Sequence, residues 1–184
     1  GDVVKEPSVK DYENPTVMQF IDIDSFMKDY QKYPGRPLTC YADATASHTA
    51  YNAWNENKES RDYFSYFAEL KQWAGDSERR VRIRDIKGKE INLPPYEELQ
   101  EGDFDPIELY AYYIGLHINN QYSKRIYMEY LLSFPVTYAL DVRNRILSSF
   151  RKGLRRSLPQ TVLQDAQCME KFRVEQGVGE PAAY

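Results

Sequence analysis

The sequence predicts an α/β protein, and three segments carry that prediction. The run IYMEYLLSFPV at residues 126–136 is nearly all apolar, which is typical of a strand covered on both faces. The segments VRIRDI and KEINL alternate apolar and polar residues around Lys87 and Gly88, which predicts a β-hairpin. After Tyr138 the apolar residues recur every four positions, which predicts a helix. Strands that alternate with helices indicate an α/β fold.

The remaining N-terminal elements follow from local signals. Residues 1–13 are polar and predict a loose segment, and NPTVMQF at residues 14–20 predicts a short strand. A helix is expected from Asp24 to Tyr33, with Asp24 or Ser25 as its N-cap, before the turn YPGRP. Residues 46–75 carry aromatics at steps of three and four, so they predict a helix that ends at Gly75 in the left-handed conformation.

The later elements have clearer boundaries. The pair Pro94-Pro95 ends the hairpin. A helix is expected to begin at Asp105 as N-cap, with Pro106 in the first helical position and Glu108 completing a capping box. Apolar residues cover more than one face of this helix, so we expect it to be packed on several sides. KFRV at residues 171–174 predicts one more strand.

Composition bounds the class of protein. The net charge is −4, so bulk charge gives no reason to expect a nucleic-acid partner or an anionic membrane. Cys40 and Cys168 form no C-x-x-C pair; a single disulfide between them stays an alternative, but two reduced thiols of a cytoplasmic protein are expected. His48 and His117 lack a second ligand at metal spacing, so no metal site is expected. The ending GVGEPAAY stops in mid-pattern, which indicates a piece of a longer chain.

Two C-terminal motifs resemble a known family. In SFPVTYALDVR, Arg143 follows Pro135 by eight positions, and GEPAAY places Glu180 before Pro181. These motifs resemble the nucleotide-binding domain of the 70-kilodalton heat-shock chaperones, the DnaK-like branch of the actin-like ATPases. ENPTVMQF, FAELKQWAG and GKEINLPPYEELQEGDFDPIEL are similar to further segments of that domain, in the same order.

The resemblance implies a fold finer than α/β. It implies part of an actin-like ATPase lobe, which is ribonuclease H-like, with an outer α+β subdomain inserted into it. Residues 14–75 would then form part of the inner subdomain, residues 76–125 the outer subdomain, and residues 126–184 the return to the inner subdomain.

The resemblance also implies roles for four residues. Lys71 matches a lysine that reaches the γ-phosphate and the attacking water, and Glu180 matches a glutamate that senses the water around the nucleotide; both are therefore expected to be catalytic. Pro135 and Arg143 match a relay that carries the state of the nucleotide to the outer surface. The parent protein would use ATP and Mg²⁺, and its partners would be protein clients or co-chaperones.

The sequence departs from the family at the phosphate-binding loops. No Asp-x-Gly occurs in the chain, whereas the family holds phosphates and hydrated Mg²⁺ with loops of aspartate and glycine. Those loops would lie upstream of residue 1 and beyond residue 184. The fragment alone is therefore expected to be inactive.

An alternative stays open from the sequence. The predicted helix after Tyr138 is strongly basic and is opposed only by Asp141. Its basic residues are Arg143, Arg145, Arg151, Lys152, Arg155 and Arg156. The chain could thus be a non-enzymatic α/β interaction module that binds an acidic protein or RNA through this helix, although such a face is more often simply solvated.

Overall fold

A computed structural model describes residues 15–56, 62–121 and 126–177. It has the mixed α/β fold that the sequence predicts. The strands are β1 Met18–Phe20, β2 Ala44–Ala46, β3 Tyr66–Phe67, β4 Val81–Arg84, β5 Glu90–Leu93, β6 Glu129–Leu132 and β7 Arg173–Gln176. The helices are α1 Ile23–Tyr30, α2 Ser47–Glu56, α3 Leu70–Ala74, α4 Pro106–Gln121, α5 Leu140–Arg156, α6 Gln160–Leu163 and α7 Ala166–Met169. Short 3₁₀ turns occupy Tyr63–Ser65 and Tyr96–Glu98.

The N-terminal strand lies in the middle of a three-stranded antiparallel sheet. β1 pairs with β2 on one side and β3 on the other, so that Met18 lies opposite both Ala46 and Phe67. The predicted strand at residues 14–20 is confirmed for its last three residues. Helix α1 begins one residue after Asp22, whose Oδ1 accepts a hydrogen bond of 3.0 Å from the Ser25 N–H. The predicted caps Asp24 and Ser25 were therefore wrong, because Asp22 keeps the extended backbone that an N-cap requires.

Residues 46–75 do not form the single helix that their pattern predicts. Helix α2 covers Ser47–Glu56, whereas Tyr66 and Phe67 are extended because they pair with the free edge of β1. The sheet ladder supplies hydrogen bonds that override the local helical preference. Gly75 has a φ of −89°, so its predicted left-handed conformation was also wrong. A glycine is needed there for space, because a Cβ would lie 2.6 Å from a ring carbon of Tyr138.

The predicted hairpin is confirmed, and it is tied to helix α1. Val81 lies opposite Leu93 and Arg84 opposite Glu90, and Gly88 takes a φ of 97° in the turn. The buried carboxylate of Asp85 accepts hydrogen bonds of 2.8 Å from the N–H groups of Ile23 and Lys89. This side chain therefore joins the hairpin turn to the first turn of α1.

Helix α4 begins at the predicted Asp105 and Pro106 and is buried on several faces. The predicted capping box was wrong, because the Glu108 carboxyl group accepts a hydrogen bond from Tyr30 instead. Asp105 caps it, since its Oδ1 accepts a 2.9 Å hydrogen bond from the Ile107 N–H. Its buried apolar residues are Ile107, Leu109, Tyr110, Ala111, Tyr112, Tyr113, Ile114 and Ile118. It packs most closely against α5, where Gly153 faces Ala111 and Gly115 faces Ser157. These small residues let the two helix backbones approach each other.

The C-terminal part is a strand–helix–strand unit. β6 pairs in parallel with β7, with Tyr130 opposite Val174, and α5 belongs to the connection between them. The strand predicted at residues 126–136 is present but ends at Leu132. Pro135 therefore does not end the strand directly; its carbonyl accepts a 3.0 Å hydrogen bond from the Tyr138 N–H in the following turn. The last strand lies two residues later than predicted.

In the part of the chain that the structure describes, the strands form three separate small sheets around one hydrophobic core. The core takes side chains from the N-terminal sheet, the hairpin, α4, α5 and the β6–β7 pair. Within the described ranges, none of the helices combines the length and the apolar character needed to cross a membrane.

Candidate functional site

Lys71 and Pro135, two of the predicted site residues, line the same cavity. It has a volume of about 120 Å³ and lies between α3, α4, α5 and the segment after β6. Both residues are exposed at its surface, whereas its walls are mainly apolar. The apolar walls include Leu70, Ile107, Ile114, Leu132, Phe134, Ile146 and Phe150.

Arg143, the third predicted residue, holds the loop that leads from Pro135 into α5. Its Nε donates a 2.9 Å hydrogen bond to the carbonyl of Tyr138, and its Nη2 donates a 3.2 Å bond to the carbonyl of Val136. The guanidinium thus bridges two peptide units of one short loop. A planar fork with several donors suits this task, and lysine could not reproduce it.

Tyr138 connects this loop to Lys71, a role that no pattern in the sequence indicates. Its hydroxyl donates a 2.7 Å hydrogen bond to the main-chain carbonyl of Lys71, and its ring lies against Gly75. Burial raises the pKa of the hydroxyl above its usual value. The chain of contacts therefore runs from α3 through Tyr138 to Arg143. Glu180, the fourth predicted residue, lies outside the described residues.

The described lining of this cavity does not fit ATP with Mg²⁺. Among the residues that the structure describes, no carboxylate lines the cavity to hold a hydrated Mg²⁺. Nor does the described part of the chain place three His, Cys, Asp or Glu side chains where they could hold a metal ion. Among the described lining residues, Lys71 is the one that carries a positive charge.

Most of the basic residues of α5 bind main-chain carbonyls of this chain. Arg145 donates to Leu99, Arg151 to Val174, and Arg156 to both Tyr30 and Tyr33. These bonds join α5 to the turn after the hairpin, to β7 and to the end of α1. The basic character of the helix is therefore used largely in holding the fold together.

A second cavity, of about 360 Å³, has a polar lining and shares no lining residue with the first. It lies where α1, the Tyr96–Glu98 turn, the start of α4 and one side of α5 meet. Glu101, Asp103, Asp105 and Glu108 contribute carboxyl groups, while Arg145, Lys152 and Arg156 contribute positive charges. We name this cavity the polar cleft.

The comparisons with known proteins identify no relative. No protein-family model, no curated protein and no solved structure matches the chain.

Proposed function

We propose that the chain is part of a DnaK-like ATPase whose parent couples ATP hydrolysis to binding of a protein client or co-chaperone. The observation that carries the proposal is the contact between Arg143 and the carbonyls of Val136 and Tyr138, directly after Pro135. The eight-residue interval between Pro135 and Arg143 is the family's interval, and here it has a physical consequence. The two hydrogen bonds from Arg143 join the turn after Pro135 to the first turn of α5, and we call this turn and helix start the connected unit.

The connected unit could transmit movement. A proline ring fixes φ, so a push on Pro135 displaces the whole turn rather than being absorbed by one backbone torsion. The displaced carbonyls would pull on the Arg143 guanidinium and hence on the first turns of α5. Tyr138 would carry the same displacement to the carbonyl of Lys71 on α3. A stiff element with two positions is what a relay requires.

The parent would supply what the described residues lack. In this proposal, the phosphate loops and Mg²⁺ ligands belong to parts of a longer protein, and the actin-like lobe is completed there. Lys71 and Glu180 keep their proposed catalytic roles, and the parent is cytoplasmic. The chain alone is expected to be inactive.

The alternative, an interaction module that binds acidic protein or RNA through α5, has less support. Four of the six basic residues in that helix donate hydrogen bonds to carbonyls of the chain itself. They are therefore less available for phosphates or acidic side chains of a partner. A salt-dependent RNA shift by this chain would favour the alternative.

The reading frame of the parent provides the first test. We expect D-x-G-T upstream and D-x-G-G-G-T downstream of this segment. A protein that spans both motifs should bind ATP in calorimetry, and failure to bind would contradict the proposal.

The relay is tested in the same longer protein with Pro135→Ala. Nucleotide-dependent change in Trp73 fluorescence should be lost while ATP still binds. Pro159→Ala serves as the matched control, because Pro159 begins a different turn, before α6. An undiminished fluorescence change in Pro135→Ala would show that the proline has no relay role.

A further inference from the structure

The polar cleft has an acidic wall at the start of α4. Asp105 accepts a 2.6 Å hydrogen bond from the Ser149 hydroxyl, and Ser149 lies 2.6 Å from the hydroxyl of Tyr96. Glu108 accepts a 3.1 Å hydrogen bond from the hydroxyl of Tyr30. Both residues line the cleft, and the carboxyl group of each accepts a hydrogen bond from an uncharged hydroxyl group.

The opposite wall is basic and comes from α5. The guanidinium of Arg156 lies 4.6 Å from the ring centre of Tyr30, and that of Arg145 lies 5.9 Å from the ring centre of Tyr96. Both also donate to carbonyls, which fixes their positions. Lys152 extends from the same side of the helix and is exposed.

The two walls face each other without forming ion pairs. Among the described residues, neither Asp105 nor Glu108 forms a salt bridge with Arg145, Lys152 or Arg156. Burial raises the pKa of both carboxyl groups, and the nearby Asp105 raises that of Glu108 further. Withdrawing carboxylates from water without a paired cation is costly. Perturbed carboxyl groups in a cleft mark candidate binding sites.

From this arrangement we infer that the polar cleft binds a small zwitterion. Its ammonium group would lie against Glu108 and Asp105, and its carboxylate or phosphate group against Lys152 and Arg145. Such a ligand supplies each wall with the charge that it lacks. A purely cationic ligand would meet the basic wall, and a purely anionic one would meet the acidic wall.

The size of the cleft sets the class of ligand. A volume of about 360 Å³ is at the lower end of the range for small-molecule sites, roughly 300–1,000 Å³. It suits a compound of amino-acid size. Met27, Leu99 and Leu109 also line the cleft and can cover a short aliphatic segment between the charged ends.

Calorimetry with ω-amino acids on the 184-residue chain tests the inference. The probes are glycine, 4-aminobutyrate and 6-aminohexanoate, with hexylamine and hexanoate as analogues that keep only one charge. At least one zwitterion should bind saturably, and at least about tenfold more tightly than either analogue. No saturable binding by any zwitterion, or equal binding by an analogue, would overturn the inference.

Variants assign the two ends of the ligand. Glu108→Gln should weaken binding of the zwitterion at least about tenfold, since it removes the charge but keeps an acceptor for Tyr30. Lys152→Met should weaken it in the same way, and Lys171→Met, at an exposed position outside the cleft, should not. Unchanged binding in a folded Glu108→Gln chain would contradict the assignment. These binding assays contain no nucleotide, so their outcome does not depend on whether the parent protein is an ATPase.

Discussion

At the scale of the residue, Asp105 and Glu108 lie within one turn at the start of α4 but make different contacts. Asp105 caps α4 through Oδ1 and accepts the Ser149 hydroxyl at Oδ2, so each of its carboxyl oxygens accepts a hydrogen bond. Glu108 points away from the capping-box position, towards Tyr30 on α1. Its carboxyl group therefore serves a contact between helices rather than the helix start. Burial makes its charged form costly in the folded chain.

We predict that Glu108→Gln stabilises the chain at neutral pH. Folding raises the pKa of Glu108, so above its ordinary value near 4.5 the unfolded chain releases this proton more readily than the folded chain. The carboxyl group therefore lowers the free energy of unfolding progressively as pH rises from that value through the raised pKa. Glutamine does not titrate, so the gain over wild type should be near zero at pH 4 and should grow as the pH rises towards 7.

Urea unfolding of both chains between pH 4 and 7 measures this difference. Glu97→Gln, at an exposed position, is the matched control and should show little change with pH. A Glu108→Gln chain that becomes less stable relative to wild type as pH rises would refute the prediction.

At the scale of the element, the close crossing of α4 and α5 depends on residues with small side chains or none. A Cβ at Gly153 would collide with the carbonyl oxygen of Glu108 and lie 2.9 Å from both the Ala111 Cβ and the Tyr112 nitrogen. Those atoms belong largely to a helix backbone, which cannot move aside alone. The crossing distance is therefore set by glycine and alanine, and the arginines of α5 reach their carbonyl partners from that distance.

We predict that Gly153→Ala destabilises the chain by about 2 kcal/mol or more, as overpacking of a close contact does. A loss of stability would be diagnostic of the close contact, since alanine in place of glycine inside a helix otherwise stabilises by about 1 kcal/mol. Asn144→Ala, at an exposed position of the same helix, should be nearly neutral. Denaturant unfolding measures all three chains, and a stabilised Gly153→Ala would mean that the helices are not in close contact.

At the scale of the whole molecule, one core connects segments that are distant in sequence. Trp73 and Tyr96 are both fully buried, with ring centres 5.1 Å apart, and the Trp73 indole donates a 2.9 Å hydrogen bond to the carbonyl of Pro94. Arg156 joins the end of α5 to the end of α1. The hairpin and α4 therefore share their buried surface with the rest of the described chain.

We predict a single cooperative unfolding transition. In a Trp54→Phe chain, Trp73 is the one remaining tryptophan, and its fluorescence should follow the same urea curve as the helical circular dichroism. Two separated transitions would instead indicate that residues 76–125 unfold as a unit of their own.

The sequence predicted those elements whose signals are local. The hairpin follows from period-two alternation around Lys87 and Gly88, and α4 follows from Asp105 and Pro106, because these signals act within a few residues of the bonds that they form. Residues 46–75 were misread, because the pairing of Tyr66 with Gln19 overrides their helical pattern. For Pro135 and Arg143, the spacing was visible in the sequence, but the loop carbonyls that join them were not.

By itself, the sequence determined the mixed α/β class, the hairpin and the two long helices, because hydrophobic periodicity and capping are short-range. Only the tertiary structure decided which polar groups form hydrogen bonds across long stretches of sequence. Glu108 reaches Tyr30 across 78 residues, and Tyr138 reaches Lys71 across 67. Contacts between residues so far apart in sequence depend on how the helices and strands pack, and no sequence pattern predicts them.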